Sequence, residues 1–240
     1  MKKLLLACLA LAAMAIVPAH AQFNGFPKMG GGGGGNVDNV MASGSKIIIC
    51  STIASDLAVN AASQMLSAFP DDKVAAIKEK FSKYNELKGK RGDEGQLDSD
   101  SATLASDGFK EMEKLDVAGY QKDKAKVVGP AYSKMGLALG VDALAAIQLP
   151  GFMKSCNSTI SSMGSNPMQA TKLMKLKSIA ATGMVLSTSV PAQVNSITLV
   201  RGIAKKIADA ENIKLGEAPK VTALEPAALQ SQQKTMETEG

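Results

Sequence analysis

The sequence predicts an all-α protein: an antiparallel helical bundle with one long N-terminal helix and a projecting charged helical hairpin. Three observations carry this expectation. No stretch alternates polar and apolar residues at period two over the length of a strand. Apolar residues recur instead at three- and four-residue steps in the long segments after residue 36. Charge also divides the chain into blocks, because residues 71–126 hold 13 acidic and 12 basic side chains whereas residues 127–204 hold only seven charges. Two apolar blocks that must be hidden therefore flank a solvated excursion.

Residues 1–21 carry Lys2 and Lys3, an apolar run from Leu4 to Val17, and Ala19-His20-Ala21. This is the pattern of a signal peptide cut between Ala21 and Gln22, which predicts a periplasmic or extracellular mature protein. The run falls short of the roughly 20 residues that span a bilayer. Cys8, in Leu5-Leu6-Ala7-Cys8, resembles a lipobox cysteine but comes too early to follow an apolar core. Cleavage removes Lys2, Lys3, Cys8 and the single histidine, His20, leaving 25 basic and 22 acidic side chains and a net charge of +3. Without histidine, the mature chain has no means to build a Ser-His-Asp or Cys-His site, or a His-containing zinc site. Two cysteines remain, Cys50 and Cys156. An oxidising compartment favours a disulfide between them.

Residues 22–36, with Gly30 to Gly35 in a row, read as a flexible segment. No Gly-Lys-Ser/Thr follows, so they do not form a phosphate loop. Residues 37–216 read as one bundle domain that contains the charged hairpin of residues 71–126. Its long first helix has Val37, Val40, Met41, Ile47, Ile48, Ala54, Ala58, Ala61, Met65 and Ala68 on one stripe, with Gly44 as an expected interruption and Pro70 as the end. Asp71 or Asp72 is the expected cap of the next helix, whose inner face is Val74, Ile77, Phe81, Tyr84 and Lys88. Gly89, Gly92 and Gly95 make a loop. A third helix opens near Asp98 to Asp100, with Leu104, Gly108, Phe109, Met112 and Leu115 inward.

Gly129-Pro130 breaks the chain, and an apolar helix follows from Tyr132 to Leu149. Pro150-Gly151 is an expected turn, and Phe152, Cys156, Ile160 and Met163 face inward on a short helix beyond it. Asn166-Pro167-Met168-Gln169 has the form of a helix start. The helix it opens should bend at Pro191 and end at Gly216, after the stripe Val194, Ile197, Val200, Ile203, Ala204 and Ile207. Residues 217–240, with Pro219, Pro226 and a Gln/Glu/Thr-rich end, read as a loose tail.

The short motifs are weak. Arg91-Gly92-Asp93 lies in the hairpin loop and reads as three common loop residues. Asp98, Asp100 and Asp107 lack the remaining ligands and the glycine of a calcium loop. Ser43-Gly44-Ser45-Lys46 and Ser231-Gln232-Gln233-Lys234 match S-x-x-K with no downstream Lys-Thr-Gly. Lys172, Lys175, Lys177, Lys205 and Lys206 lack interleaved aromatics, so nucleic acid is not an expected partner. Residues 178–200 carry no charge, and Gly136-Leu137-Ala138-Leu139-Gly140 is a small-residue repeat suited to close helix contact. Polar residues and Pro191 in that run favour a buried helix over a membrane span.

No catalytic, metal or cofactor residue is predicted. The leading expectation is an exported interaction or structural protein whose charged hairpin, Asp71 to Lys126, and mobile ends bind an unknown protein partner in the cell envelope or outside the cell. The alternative is a membrane-active or lipid-binding bundle that inserts an apolar hairpin from Tyr132 to Val200, with Gly136, Gly140 and Pro191 as its membrane-contact residues. An enzyme working through carboxylates alone is third.

Overall fold

The computed structural model describes residues 35–91, 99–163 and 169–238. The predicted signal peptide and almost all of the glycine-rich segment lie outside them, as do Gly92, Asp93, Asp98 and residues 164–168. Among the described residues six α-helices follow in order: α1 Gly35–Leu66, α2 Asp71–Lys88, α3 Ser99–Met112, α4 Val128–Met163, α5 Ala170–Ala210 and α6 Pro226–Thr238. Two 3-10 turns, Val117–Gly119 and Lys122–Val127, join α3 to α4. Among the described residues there is no strand, and the protein is an all-α bundle.

Helices α1, α4 and α5 form the central layer. Gly44 of α1 meets Phe152 of α4, while Gln64 accepts a hydrogen bond from Lys134 at 3.1 Å. Positions rise along one helix as they fall along the other, so α1 and α4 are antiparallel. Gly183 lies against Phe152 and Met153, so α4 and α5 form an antiparallel hairpin. Gly44 does not interrupt α1: a Cβ there would come within 2.5 Å of Phe152 and 2.6 Å of Ile179, so glycine allows the three helices to meet.

The charged hairpin is docked on this layer. Val74, Ile77, Phe81, Tyr84, Phe109 and Met112 join the core, and α3 packs on α5. The Phe81 and Phe109 rings meet edge to face at 5.5 Å, a geometry that aligns a ring's positive edge with its partner's negative face. The expected cap is corrected. Pro70 occupies the N-cap without a side-chain bond, while Asp71 pairs with Lys78 at 2.5 Å and Asp72 lies in the first turn, where the helix dipole favours acids.

Three further boundaries differ from expectation. Pro150 makes no turn, because α4 runs through it to Met163. Pro150 is exposed, and an internal proline costs least where water can reach the carbonyl it leaves unpaired. Pro191, also exposed, likewise lies inside α5. That helix ends at Ala210, six residues before Gly216. Asn212 takes a left-handed φ of 53° and Ile213 N–H reaches Ala208 O at 2.8 Å, a Schellman ending.

The expected loose tail is also corrected. Residues 213–225 return as a strap along α4, and α6 packs on α1 and α4. Leu224 and Leu229 are buried, and Glu225 pairs with Lys46 of α1 at 2.9 Å. Pro226 begins α6, where its missing N–H costs nothing.

Candidate functional site

The inner faces of α1, α4 and α5 are dominated by Ala, Val, Leu, Ile and Met, yet several polar side chains lie among them. Ser55 Oγ of α1 donates to Gln193 Oε1 of α5 at 2.8 Å. Lys134, 6% exposed, has the Gln64 side-chain oxygen as its partner. Asp142 is 0% exposed, and among the described residues neither of its carboxylate oxygens has a hydrogen-bond partner. Burial, which disfavours the charged form, pushes its pKa well above the ordinary carboxylate range. The helical repeat places it there, since Ala138, Val141, Ala145 and Leu149 surround it on the buried face of α4.

A second cluster joins α2 to α1. Asp56 Oδ1 accepts from Tyr84 Oη at 2.6 Å and from Arg91 Nη1 at 2.9 Å, while Lys88 Nζ lies 3.3 Å from Oδ2. The Arg91 guanidinium lies 5.1 Å from the Tyr84 ring centre, and its side chain is only 5% exposed. Burial, followed by the charge of Asp56, raises the Tyr84 pKa well above its usual value. The cluster is a clamp on the end of the hairpin. It also turns Arg91 away from any receptor that would read Arg91-Gly92-Asp93 from solvent.

The predicted disulfide is absent: Cys50 and Cys156 are free and buried. Helix register explains this. Because Phe152 meets Gly44, Cys156 lies one turn beyond that level, opposite positions near 40 of α1. Cys50 is some ten residues away along the axis, or about 15 Å at 1.5 Å per residue, whereas bridged cysteines need Cα atoms within roughly 7 Å. Burial, then the charge of Glu225, pushes the Cys50 thiol up to about 12, against a smaller opposing effect of Lys46. Burial also raises the Cys156 thiol, whose Sγ points at Leu176 O, 3.7 Å away. Neither thiol has the electropositive, open setting of a reactive cysteine.

The residues expected at a membrane separate into two places. Gly136 and Gly140 do serve close approach, but their neighbour is the strap. A Cβ at Gly136 would collide with Ala218, and one at Gly140 would lie 3.0 Å from Val221. Pro191 lies apart from them on the outer side of α5.

The weaker motifs are occupied in other ways. Lys46 pairs with Glu225, and Ser231 Oγ donates to Ala227 O at 3.0 Å. Lys110 pairs with Asp107 at 3.3 Å. Lys172 and Lys205 bond Asp38 and Asp209, each at 2.9 Å. Sequence reasoning missed the importance of Asp56, Gln64 and Gln193. Lys134 and Asp142, the only charges in residues 130–150, were the available signal.

Among the described residues the surface has several depressions, three of which are well formed. One, about 270 Å³, lies between α3 and α5 and is lined by Thr103, Ser106, Thr188, Ser189 and Gln193 among others. Another, about 630 Å³, lies between the first turns of α4, the strap and the end of α6. The third, about 640 Å³, is lined by charged side chains such as Lys80, Glu111 and Lys114. No protein-family model matches the chain, and no curated protein or solved structure matches it.

Proposed function

We propose that this is an exported helical-bundle protein that acts by binding a protein partner rather than by catalysis, through the outward side of α5. The supporting observation is the solvent face of the charge-free run of residues 178–200. Met184 is 63% exposed and Leu199 is 52% exposed, with Met174 at 72% just before the run. Met174 and Leu199 are 25 residues apart, close to seven helical turns, so they share one stripe and Met184 lies beside it. Ala181, Thr188, Pro191, Ala192 and Asn195 are exposed between them. The charge-free face that carries Met184 and Leu199, with Met174 beyond the exposed Lys175 and Lys177, suits a helix face or groove of another protein. Photo-crosslinking from positions 184 and 199 in the native cell tests it. A discrete adduct that Leu199→Glu abolishes is the expected result. Adducts from the exposed Lys83 position alone would move the interface to the charged hairpin and sink the α5 reading.

A second reading, binding to a membrane surface, has its own support. Val37–Leu66 and Lys122–Met163 are long and apolar enough to cross a bilayer by length and composition. They also form the inside of the bundle, so insertion would require the bundle to open. Co-sedimentation of the mature protein with neutral and anionic liposomes, with release of an encapsulated dye, separates the readings. Release would favour the membrane, and its absence together with an adduct would favour the protein partner.

A further inference from the structure

We propose that the 630 Å³ cavity at the start of α4 binds a small amphipathic carboxylate, an anionic head on an apolar body, with Lys134 as its charge partner. The first argument is the state of Lys134. The residue is 6% exposed, lines the cavity, and donates from its ammonium to the neutral Gln64 oxygen rather than to a carboxylate. A desolvated cation with only a neutral partner is costly, and an arriving anion offsets that cost.

The lining supplies the second argument. Lys126 and Lys214 also line the cavity, and Glu217 is its single acid, so the potential inside is positive. Pro130, Ile213, Pro219 and Met236 make much of the remaining wall apolar. Arginine forks of the kind that grip phosphate are absent from this lining, which disfavours a nucleotide or free phosphate. Gln232 lines the same space and its Oε1 is buried without a partner. The volume is in the range of small-molecule sites.

Calorimetric titration of the full mature chain with octanoate, octanol and inorganic phosphate tests this. Octanoate is expected to bind saturably at one site, with octanol and phosphate each at least about tenfold weaker. Lys134→Gln should weaken octanoate by about tenfold or more and leave octanol unchanged, while Lys214→Gln, at a surface lysine, should weaken octanoate by a smaller factor. No saturable binding at millimolar octanoate would overturn the proposal, as would equal affinity for octanol or phosphate. If Lys134→Gln fails to fold, the wild-type comparison of octanoate with octanol and the Lys214→Gln titration decide. The α5 interface is untouched by either result.

Discussion

Asp142→Asn should flatten the dependence of stability on pH, and the size of the effect follows from the site. The carboxyl is 0% exposed, has no hydrogen-bond partner on either oxygen, and its pKa is raised by burial alone. In the unfolded chain the group titrates near 3.9. Above that pH the unfolded state releases the proton while the folded state keeps it, so the folded state binds one more proton. Linkage then gives a loss of about 1.4 kcal/mol of stability for each pH unit, continuing until Asp142 ionises in the fold. Below pH 4 both states are protonated and the cost disappears. Asparagine keeps the volume and cannot ionise, so the two proteins should be similar in stability near pH 4. They should then diverge, with the variant gaining about 1.4 kcal/mol for each pH unit over which Asp142 keeps its proton in the fold. For a domain of this size each kcal/mol is worth roughly 2–4 °C in Tm. Denaturant unfolding of both proteins at half-unit steps from pH 4 to 8 measures it, and subtracting one curve from the other removes every other titrating group. Parallel curves would refute the reasoning, since they would mean that Asp142 is charged and solvated in the folded protein.

Two further perturbations act on the clamp and on the last helix. Arg91→Ala leaves Asp56 with Tyr84 and Lys88 but removes the near-buried guanidinium, so denaturant unfolding should show a loss of about 2–4 kcal/mol; a change below 0.5 kcal/mol would mean the pair is solvated. Leu229→Asp places a charge at a position that is 3% exposed. It should release α6, making residues 226–238 the first site of limited proteolysis, and wild-type protein trimmed there equally fast would contradict the docking.

The helices were legible in the sequence because their periodicity is strong, and α2 was readable to its ends because Pro70 and Gly89 bracket it. The errors cluster at prolines and at the C-terminal segment, for identifiable reasons. Pro150 and Pro191 break helices only where the freed carbonyl lacks another partner, and both lie on exposed faces, a fact no local window contains. Residues 217–240 have too few apolar residues for a stripe, yet Leu224 and Leu229 suffice once Gly136 and Gly140 open a seat for the strap. The candidate sites were less legible still. Asp56, Gln64 and Gln193 act through partners 35, 70 and 138 positions away, and only three-dimensional register brings those together. The same register separates Cys50 from Cys156.

That register needs a physical origin, because a core lined with alanine offers little shape to choose among alignments. Ala54, Ala58, Ala61 and Ala62 of α1 and Ala131, Ala138 and Ala145 of α4 are nearly interchangeable as packing surfaces, so sliding one helix by a turn costs little apolar contact. Polar pairs discriminate where methyl groups cannot. A one-turn slip would separate Ser55 from Gln193 and Lys134 from Gln64, leaving buried groups unpaired at about 1–3 kcal/mol each. Ser55→Ala alone should therefore destabilise the protein by about that amount, because Gln193 Oε1 loses its donor. The double variant Ser55→Ala/Gln193→Leu removes both polar groups and should recover most of the loss in denaturant unfolding. Its native state should nevertheless be less unique, with more amide cross-peaks than residues or broadened ones in a nitrogen-proton correlation spectrum. A double variant as sharp as wild type would locate the register elsewhere, in the Lys134–Gln64 pair or in the ring of Phe152 fitted against Gly44 and Gly183.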